Sequence, residues 1–262
     1  MIRLFVSDVD GTLLTKDSIS PNDVASLQRA AAQRIEICLA SGRMYPELQE
    51  IAKQLDIRCH CVSQNGCFVH TSTGQMIKSA SFDAPIAHQL LSIAKNGEFP
   101  YTVSCSDNQI YIAQKKNAPE LQARMFMPVN ECLEIESVFA KSILPCKFSF
   151  FGKLNALEGF RLKLLKRFPQ EINTFISDKD CLDVMPRHVS KGEGLKALLH
   201  HLGVSPEEMV CVGDSFNDLA MFSVTPHSFA MCHSDPVVQK AAHQVVSSVT
   251  EVIDWLTSYN SH

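Results

Sequence analysis

Asp8 and Asp10 stand two residues apart just after the apolar run Leu4 to Val6, and Gly11 and Thr12 follow them. In extended chain, alternate residues share a face, so this spacing predicts that both carboxylates point the same way. Gly11 lets the backbone turn sharply and pass close to a ligand. Two carboxylates so placed repel each other and repel a phosphate. A magnesium ion relieves both problems, because it takes hard oxygen ligands from one or two carboxylates together with phosphate oxygens and water. For a lone pair of aspartates, an acidic turn at a strand end is the plainer alternative. The whole DVDGT string is harder to dismiss, since average residue usage puts a chance match in a chain this long at roughly one in several hundred.

Three further polar clusters follow apolar runs or open helices. Gly213-Asp214-Ser215-Phe216-Asn217-Asp218 comes after the strand-like EMVCV. Asp214 and Asp218 can turn toward one cation there, and Asn217 can donate to phosphate; the alternative is a helix cap. Ser190 and Glu193 fit a capping box, which places Lys191 in a first helical turn. A lysine at that end of the macrodipole calls for a compensating anion, or else is simply solvated. Ser41 and Gly42 supply a hydroxyl and an accessible amide, or a plain turn. Cys59, His60, Cys61, Cys67 and His70 are close in sequence, but their C-x-C spacing is not the usual zinc pattern.

The elements that must position these groups follow from apolar periodicity. IRLFVS, EICLAS and HCVS read as strands, separated by helices from Pro21 to about Arg34 and from Tyr45 to Leu55. Strand and helix in alternation indicate a parallel sheet. From Phe82 the rhythm changes: a helix over Pro85 to Lys95, strands YTVSC and QIYIAQ, shorter helical pieces, strand CKFSFF, a helix from Leu154 to Phe168, and strands INTFIS and CLDVM. Neighbouring strands with turn signals predict a mostly antiparallel sheet with helices on one face. After Ser190 the parallel rhythm returns. The expected fold class is therefore α/β, a doubly wound, Rossmann-like parallel sheet formed by residues 1-81 and 186-262, with an α+β domain, 82-185, inserted into it. In such sheets ligands bind outside the carboxyl ends of the strands, where all four clusters fall.

Composition narrows the function. Apolar residues make up 45% of the 262, charged residues 20%, and the formal net charge is -4. These values suit an ordinary globular chain and argue against nucleic acid or an anionic membrane surface as a partner. No apolar run is long enough to span a bilayer, which leads to the expectation of a soluble, cytoplasmic protein. The ten cysteines are scattered, mostly within apolar segments, and read as buried reduced thiols.

In order, DVDGTLL, ASGR, VSKGEGL and GDSFNDLAM resemble the four motifs of the haloacid dehalogenase superfamily. The chain is more narrowly similar to the Cof-type phosphatases, whose larger C2B-like cap is inserted between the second and third motifs. Gln64-Asn65-Gly66 before the insert and Leu182-Asp183-Val184 after it fit the same pattern. Thr225-Pro226-His227-Ser228 and Met231-Cys232-His233 depart from it. The resemblance implies that Asp8 is a nucleophile forming an aspartyl-phosphate. It implies that Asp10 protonates the leaving oxygen and then activates water, in a crowded, acidic, partly desolvated setting that favours its proton. Ser41, Gly42, Lys191 and Asn217 would hold phosphate oxygens. Magnesium would lie on Asp8, the main-chain carbonyl of Asp10, and Asp214, with Asp218 ligating or supporting it.

The implied activity is hydrolysis of small phosphate monoesters, sugar phosphates or a phosphorylated cofactor, by a monomer or weak homo-oligomer. A phosphosugar mutase and a non-catalytic metabolite-binding regulator are the alternatives.

Overall fold

The computed structural model of the protein describes residues 1-15, 18-112, 118-122, 128-132, 134-139, 143-178 and 180-261. The chain divides into two compact units, Met1–Lys78 with Ser190–His262, and Ser79–Val189. The second unit begins three residues before and ends four residues after the insert 82-185 expected from the sequence.

The first unit begins with β1 (Leu4–Ser7), a short pair β2 (Leu14–Thr15) and β3 (Ser18–Ile19), α1 (Pro21–Ala32), β4 (Glu36–Ala40) and α2 (Tyr45–Leu55). It continues with β5 (His60–Ser63), β6 (Phe68–His70) and β7 (Met76–Ser79). The second unit contains α3 (Ala84–Asn96), β8 (Tyr101–Cys105), β9 (Ile110–Ile112), α4 (Ala118–Gln122), β10 (Val129–Glu131) and α5 (Glu136–Phe139). It closes with β11 (Pro145–Phe151), α6 (Leu154–Arg167), β12 (Ile172–Asp178) and β13 (Cys181–Pro186). The chain then completes the first unit with α7 (Lys191–Leu202), β14 (Met209–Gly213), α8 (Leu219–Phe222), β15 (His227–Met231), α9 (Pro236–Ala241), β16 (Gln244–Val246) and α10 (Val249–Asn260). Ala113 and Gln114, the end of the expected QIYIAQ strand, lie outside the described residues.

The sheet of the first unit has 8 strands in the order β16-β15-β14-β1-β4-β5-β6-β7. Neighbours from β16 through β5 pair in parallel. β6, which pairs antiparallel with β5, is not expected from the sequence, because Phe68–His70 is too short to show a period. Every residue of β1 is buried, and alternation divides them between two cores. Phe5 packs with Leu27 of α1, Leu48 of α2 and Leu256 of α10. Leu4 and Val6 pack with Leu195 and Leu198 of α7 and Met221 of α8. Helices therefore cover both faces, the doubly wound arrangement expected.

In the second unit a 6-stranded sheet runs β10-β9-β8-β11-β13-β12. All its pairings are antiparallel except β9 with β10. Tyr101, Val103, Phe148, Phe150, Leu182 and Val184 form one face and pack on α3 and α6. The alternate residues are polar: Ser149 Oγ donates to Asp183 Oδ1 at 2.6 Å, and Lys147 Nζ lies 3.7 Å from Asp183 Oδ2. Among the described residues, no helix is long and apolar enough to cross a membrane.

Asp23 shows how the helices of the first unit are tied together. Ser20 caps α1 through its hydroxyl, and Pro21 opens the helix as expected. Asp23 does more than favour the macrodipole, because its buried Oδ1 accepts from Thr250 N at 2.8 Å and from Thr250 Oγ1 at 2.7 Å at the start of α10. Asp23→Ala would leave both donors without their acceptor, and urea unfolding is expected to register a loss of about 1–3 kcal/mol. A loss under about 0.5 kcal/mol would mean this link does not hold α10.

Candidate active site

The site is built at the carboxyl ends of β1, β4 and β14. Because β1 lies between β14 and β4, the chain leaving β1 at Asp8 runs beside the loop carrying Asp214 and the loop carrying Ser41. Main-chain hydrogen bonds fix two of these exits, Asp8 N to Val212 O at 2.9 Å and Ser41 N to Val62 O at 2.9 Å.

Lys191 is the centre of the charged group. It opens α7, where Ser190 Oγ accepts from Glu193 N at 3.1 Å, and its side chain is only 1% exposed. Its ammonium donates to Asp8 Oδ1 and to Asp218 Oδ1, both at 2.6 Å. Burial works against the charged ammonium, but the charges of Asp218 and Asp8 and their hydrogen bonds outweigh it and raise the Lys191 pKa.

Asp8, Asp214 and Asp218 offer ligand oxygens that all lie within 4.8 Å of one another. Three carboxylates against one ammonium leave a net charge of -2 in a largely buried place. The strain shows in the titration: burial first, then the charge of Asp218, pushes the Asp8 pKa well above the ordinary aspartate value, and Lys191 offsets this only in part. Burial and Asp218 raise Asp214 in the same way. A divalent cation with a preference for hard oxygens fits this donor set in both charge and chemistry.

The three aspartates are not equivalent. Asp218 Oδ2 accepts from Asp214 N and Ser215 N, each at 2.9 Å, while its Oδ1 takes Lys191. Asp218 therefore caps its own loop, as the capping reading of the GDSFND segment expects, and also belongs to the charged group. Both of its oxygens are engaged, so Asp8 and Asp214 are the residues of the group that could offer oxygens to a cation directly. Asp214 Oδ1 accepts from Thr12 Oγ1 at 2.9 Å. Gly11, at φ 83°, passes so close that a Cβ there would lie 2.4 Å from Asp214 Oδ2. Glycine is the one residue that meets both demands.

Asp10 corrects the sequence reading. Its carboxylate does not point with that of Asp8 and does not join the acidic cluster; it is 53% exposed and forms an ion pair with Arg43. Arg43 Nη2 donates to Asp10 Oδ1 at 2.6 Å, and Nε donates to Oδ2 at 2.9 Å. The strand ends at Ser7, and Asp10 makes an isolated bridge to Leu14 between turn residues, so strand alternation no longer governs its side chain. The crowded acidic setting expected at Asp10 surrounds Asp8 instead.

Ser41 is buried between these groups. Its hydroxyl donates to Asp10 Oδ2 at 3.4 Å and accepts from Arg43 N at 3.1 Å. Gly42 follows it against the Asn65 amide. Asn217 is buried and donates through Nδ2 to Asn65 Oδ1 at 3.1 Å, while its own Oδ1 finds no partner among the described residues. Contacts thus join Asp8, Asp214, Asp218 and Lys191 in one group, while Ser41 is bonded to Asp10, and Asn65 meets both Gly42 and Asn217. Thr12, Arg43 and Asn65 carry contacts that their side chains alone did not announce. All three lie within the matched strings DVDGT, ASGR and Gln64-Asn65-Gly66, which was the available signal.

A family model for haloacid dehalogenase-like hydrolases matches residues 5–256. The chain belongs to this family. As a haloacid dehalogenase-like hydrolase it is 25% identical over 249 residues to HMP-PP phosphatase of Serratia proteamaculans (strain 568), covering 94% of this chain and 89% of that one. Among solved structures it is similar to a HAD/COF-like hydrolase from Plasmodium vivax, with a TM-score of 0.86, 20% identity and coverage of 98% and 96% of the two chains. A phosphatase of the haloalkanoate superfamily from Bacteroides thetaiotaomicron gives a TM-score of 0.83, 22% identity and coverage of 100% and 96%. At these identities the two structures speak for the fold.

The charge imbalance in this hydrolase has a measurable sign. Because Asp8 has a raised pKa when folded, the folded chain binds more protons than the unfolded chain at pH values above the ordinary aspartate value of about 3.9. Its contribution to stability is then present at low pH and is lost as pH rises. Asp8→Asn cannot titrate. In EDTA, denaturant unfolding from pH 4 to 8 is expected to show wild type losing stability relative to Asp8→Asn as pH increases. A gap that stays flat or runs the other way contradicts the assignment of strain to Asp8.

Proposed function

We propose that this hydrolase removes phosphate from small phosphate monoesters, sugar phosphates or a phosphorylated cofactor, through an aspartyl-phosphate on Asp8 and with magnesium. The observation that carries the reading is the buried group of Asp8, Asp214 and Asp218 around Lys191, whose net negative charge suits a divalent cation and whose ammonium suits a phosphate. The phosphatase name of the Serratia relative supports it as well.

An oxygen of the Asp8 carboxylate attacks phosphorus, and the ester P–O bond breaks. Asp10 gives a proton to the departing oxygen. It then takes a proton from water, whose oxygen attacks phosphorus, breaks the bond to Asp8 and releases inorganic phosphate. Arg43 sets the direction of the Asp10 carboxylate. Lys191 counters charge on Asp8 and on the phosphoryl oxygens, and Ser41, Gly42 and Asn217 hold those oxygens in place. Asp8, Asp214 and the Asp10 carbonyl would hold magnesium, with Asp218 in support. When bound, magnesium supplies neutralisation of charge at the carboxylates and the phosphate.

Selection of the leaving group is assigned to the second unit, the role that its resemblance to a C2B-like cap implies. The free thiols found among the described residues support a reducing, cytoplasmic setting.

A panel of phosphate esters assayed with magnesium, with EDTA and with Asp8→Asn tests the proposal. Phosphate release is expected with magnesium, should vanish in EDTA and return on adding the metal, and should fall at least about 10³-fold in Asp8→Asn. Undiminished hydrolysis by Asp8→Asn contradicts the nucleophile, and isomeric phosphosugar in place of inorganic phosphate would indicate a mutase.

A further inference from the structure

The proposed chemistry assigns nothing to Gln64-Asn65-Gly66, the turn that follows β5. Its backbone is unusual. Gln64, Asn65 and Gly66 lie consecutively at φ 48°, 53° and 99°, a left-handed run that non-glycine residues adopt only at a cost. Gln64 and Asn65 are both buried. Such a conformation persists only where its surroundings fix it.

Those surroundings are the three places that hold phosphate in the reading above. Gln64 N donates to Arg43 O at 2.8 Å and Asn65 N to Ser41 O at 2.9 Å, so the turn is bonded to the Ser41–Arg43 loop. The Asn65 amide lies 3.4 Å from where a Cβ on Gly42 would sit. A Cβ on Gly66 would come within 2.1 Å of Ser190 O, so the turn also presses against the residue before Lys191. Asn65 Oδ1 accepts the hydrogen bond from Asn217 Nδ2. Asn217 Oδ1 is buried without a partner, so this bond to Asn65 is what orients the Asn217 amide among the described residues.

We infer that Asn65 is a positioning residue on the left-handed Gln64–Gly66 turn: its main chain is bonded to the Ser41–Arg43 loop, and its side chain places Asn217 to receive the phosphoryl oxygens of the substrate. The inference rests on the phosphatase reading. Asparagine suits the position because it tolerates left-handed backbone and carries a short amide acceptor. Glycine would keep the turn and lose the hold on Asn217.

The test uses p-nitrophenyl phosphate as substrate and inorganic phosphate as inhibitor, at saturating magnesium, with wild type, Asn65→Gly, Asn217→Ala and the double variant. Asn65→Gly is expected to raise KM and the phosphate inhibition constant about tenfold, with the magnesium concentration for half activity within about twofold of wild type. Because Asn65 acts through Asn217, the double variant should be no worse than the worse single one. Wild-type KM and phosphate inhibition in Asn65→Gly, or losses that multiply in the double variant, overturn the inference while leaving the phosphatase reading intact. Wild type with no turnover of any phosphate ester overturns both. Urea unfolding checks each variant. If Asn65→Gly does not fold, Asn65→Ala removes the same acceptor at a cost in backbone strain. It should weaken phosphate inhibition by a similar factor, and unchanged inhibition overturns the inference.

Discussion

The ammonium of Lys191 is held between Asp8 and Asp218 with almost no exposure to water, and the rest of the site is arranged around that contact. Removing charges from water is costly, and a buried ion pair seldom repays the cost better than apolar side chains of the same volume. A third carboxylate, Asp214, makes the group more expensive still. The doubly wound sheet offsets this cost with two extensive apolar cores, one on each face, and places the charges where three strands end together. A fold selected for stability alone has no use for such a group. A site that must stabilise a phosphoryl group needs fixed charge that is already desolvated.

Most of the fold was legible in the sequence because its signals are periodic. The alternation of strand and helix, the change of rhythm near Phe82 and its return at Ser190 reflect which faces of each element are buried, and burial leaves a mark at every turn of a helix and every second residue of a strand. The short strands β2, β3 and β6 left no such mark, being shorter than any period they could show. The start of α7 was legible for a different reason, since Ser190 and Glu193 satisfy helix-end donors by local chemistry alone.

The candidate site was legible as a list of residues and less so as an arrangement. Asp8, Asp214 and Asp218 converge because their motifs follow the neighbouring strands β1 and β14, and Lys191 meets them from the first turn of α7. Asp10 went astray because its direction depends on a turn and on a guanidinium that arrives from another loop, neither of which its own spacing encodes. The same is true of Asn65, whose contacts with Ser41 and Asn217 join segments far apart in the chain. Sequence patterns record burial and local capping; they do not record which loop meets which.

The proposed chemistry requires one divalent cation to complete the buried aspartates. Calorimetric titration of magnesium into the metal-free protein tests this without reference to any substrate. One site per chain is expected in wild type, with affinity lowered at least about tenfold in Asp214→Asn, a loss of roughly 1.4 kcal/mol. Absence of a magnesium site in wild type, or an affinity that Asp214→Asn leaves unchanged, would contradict it.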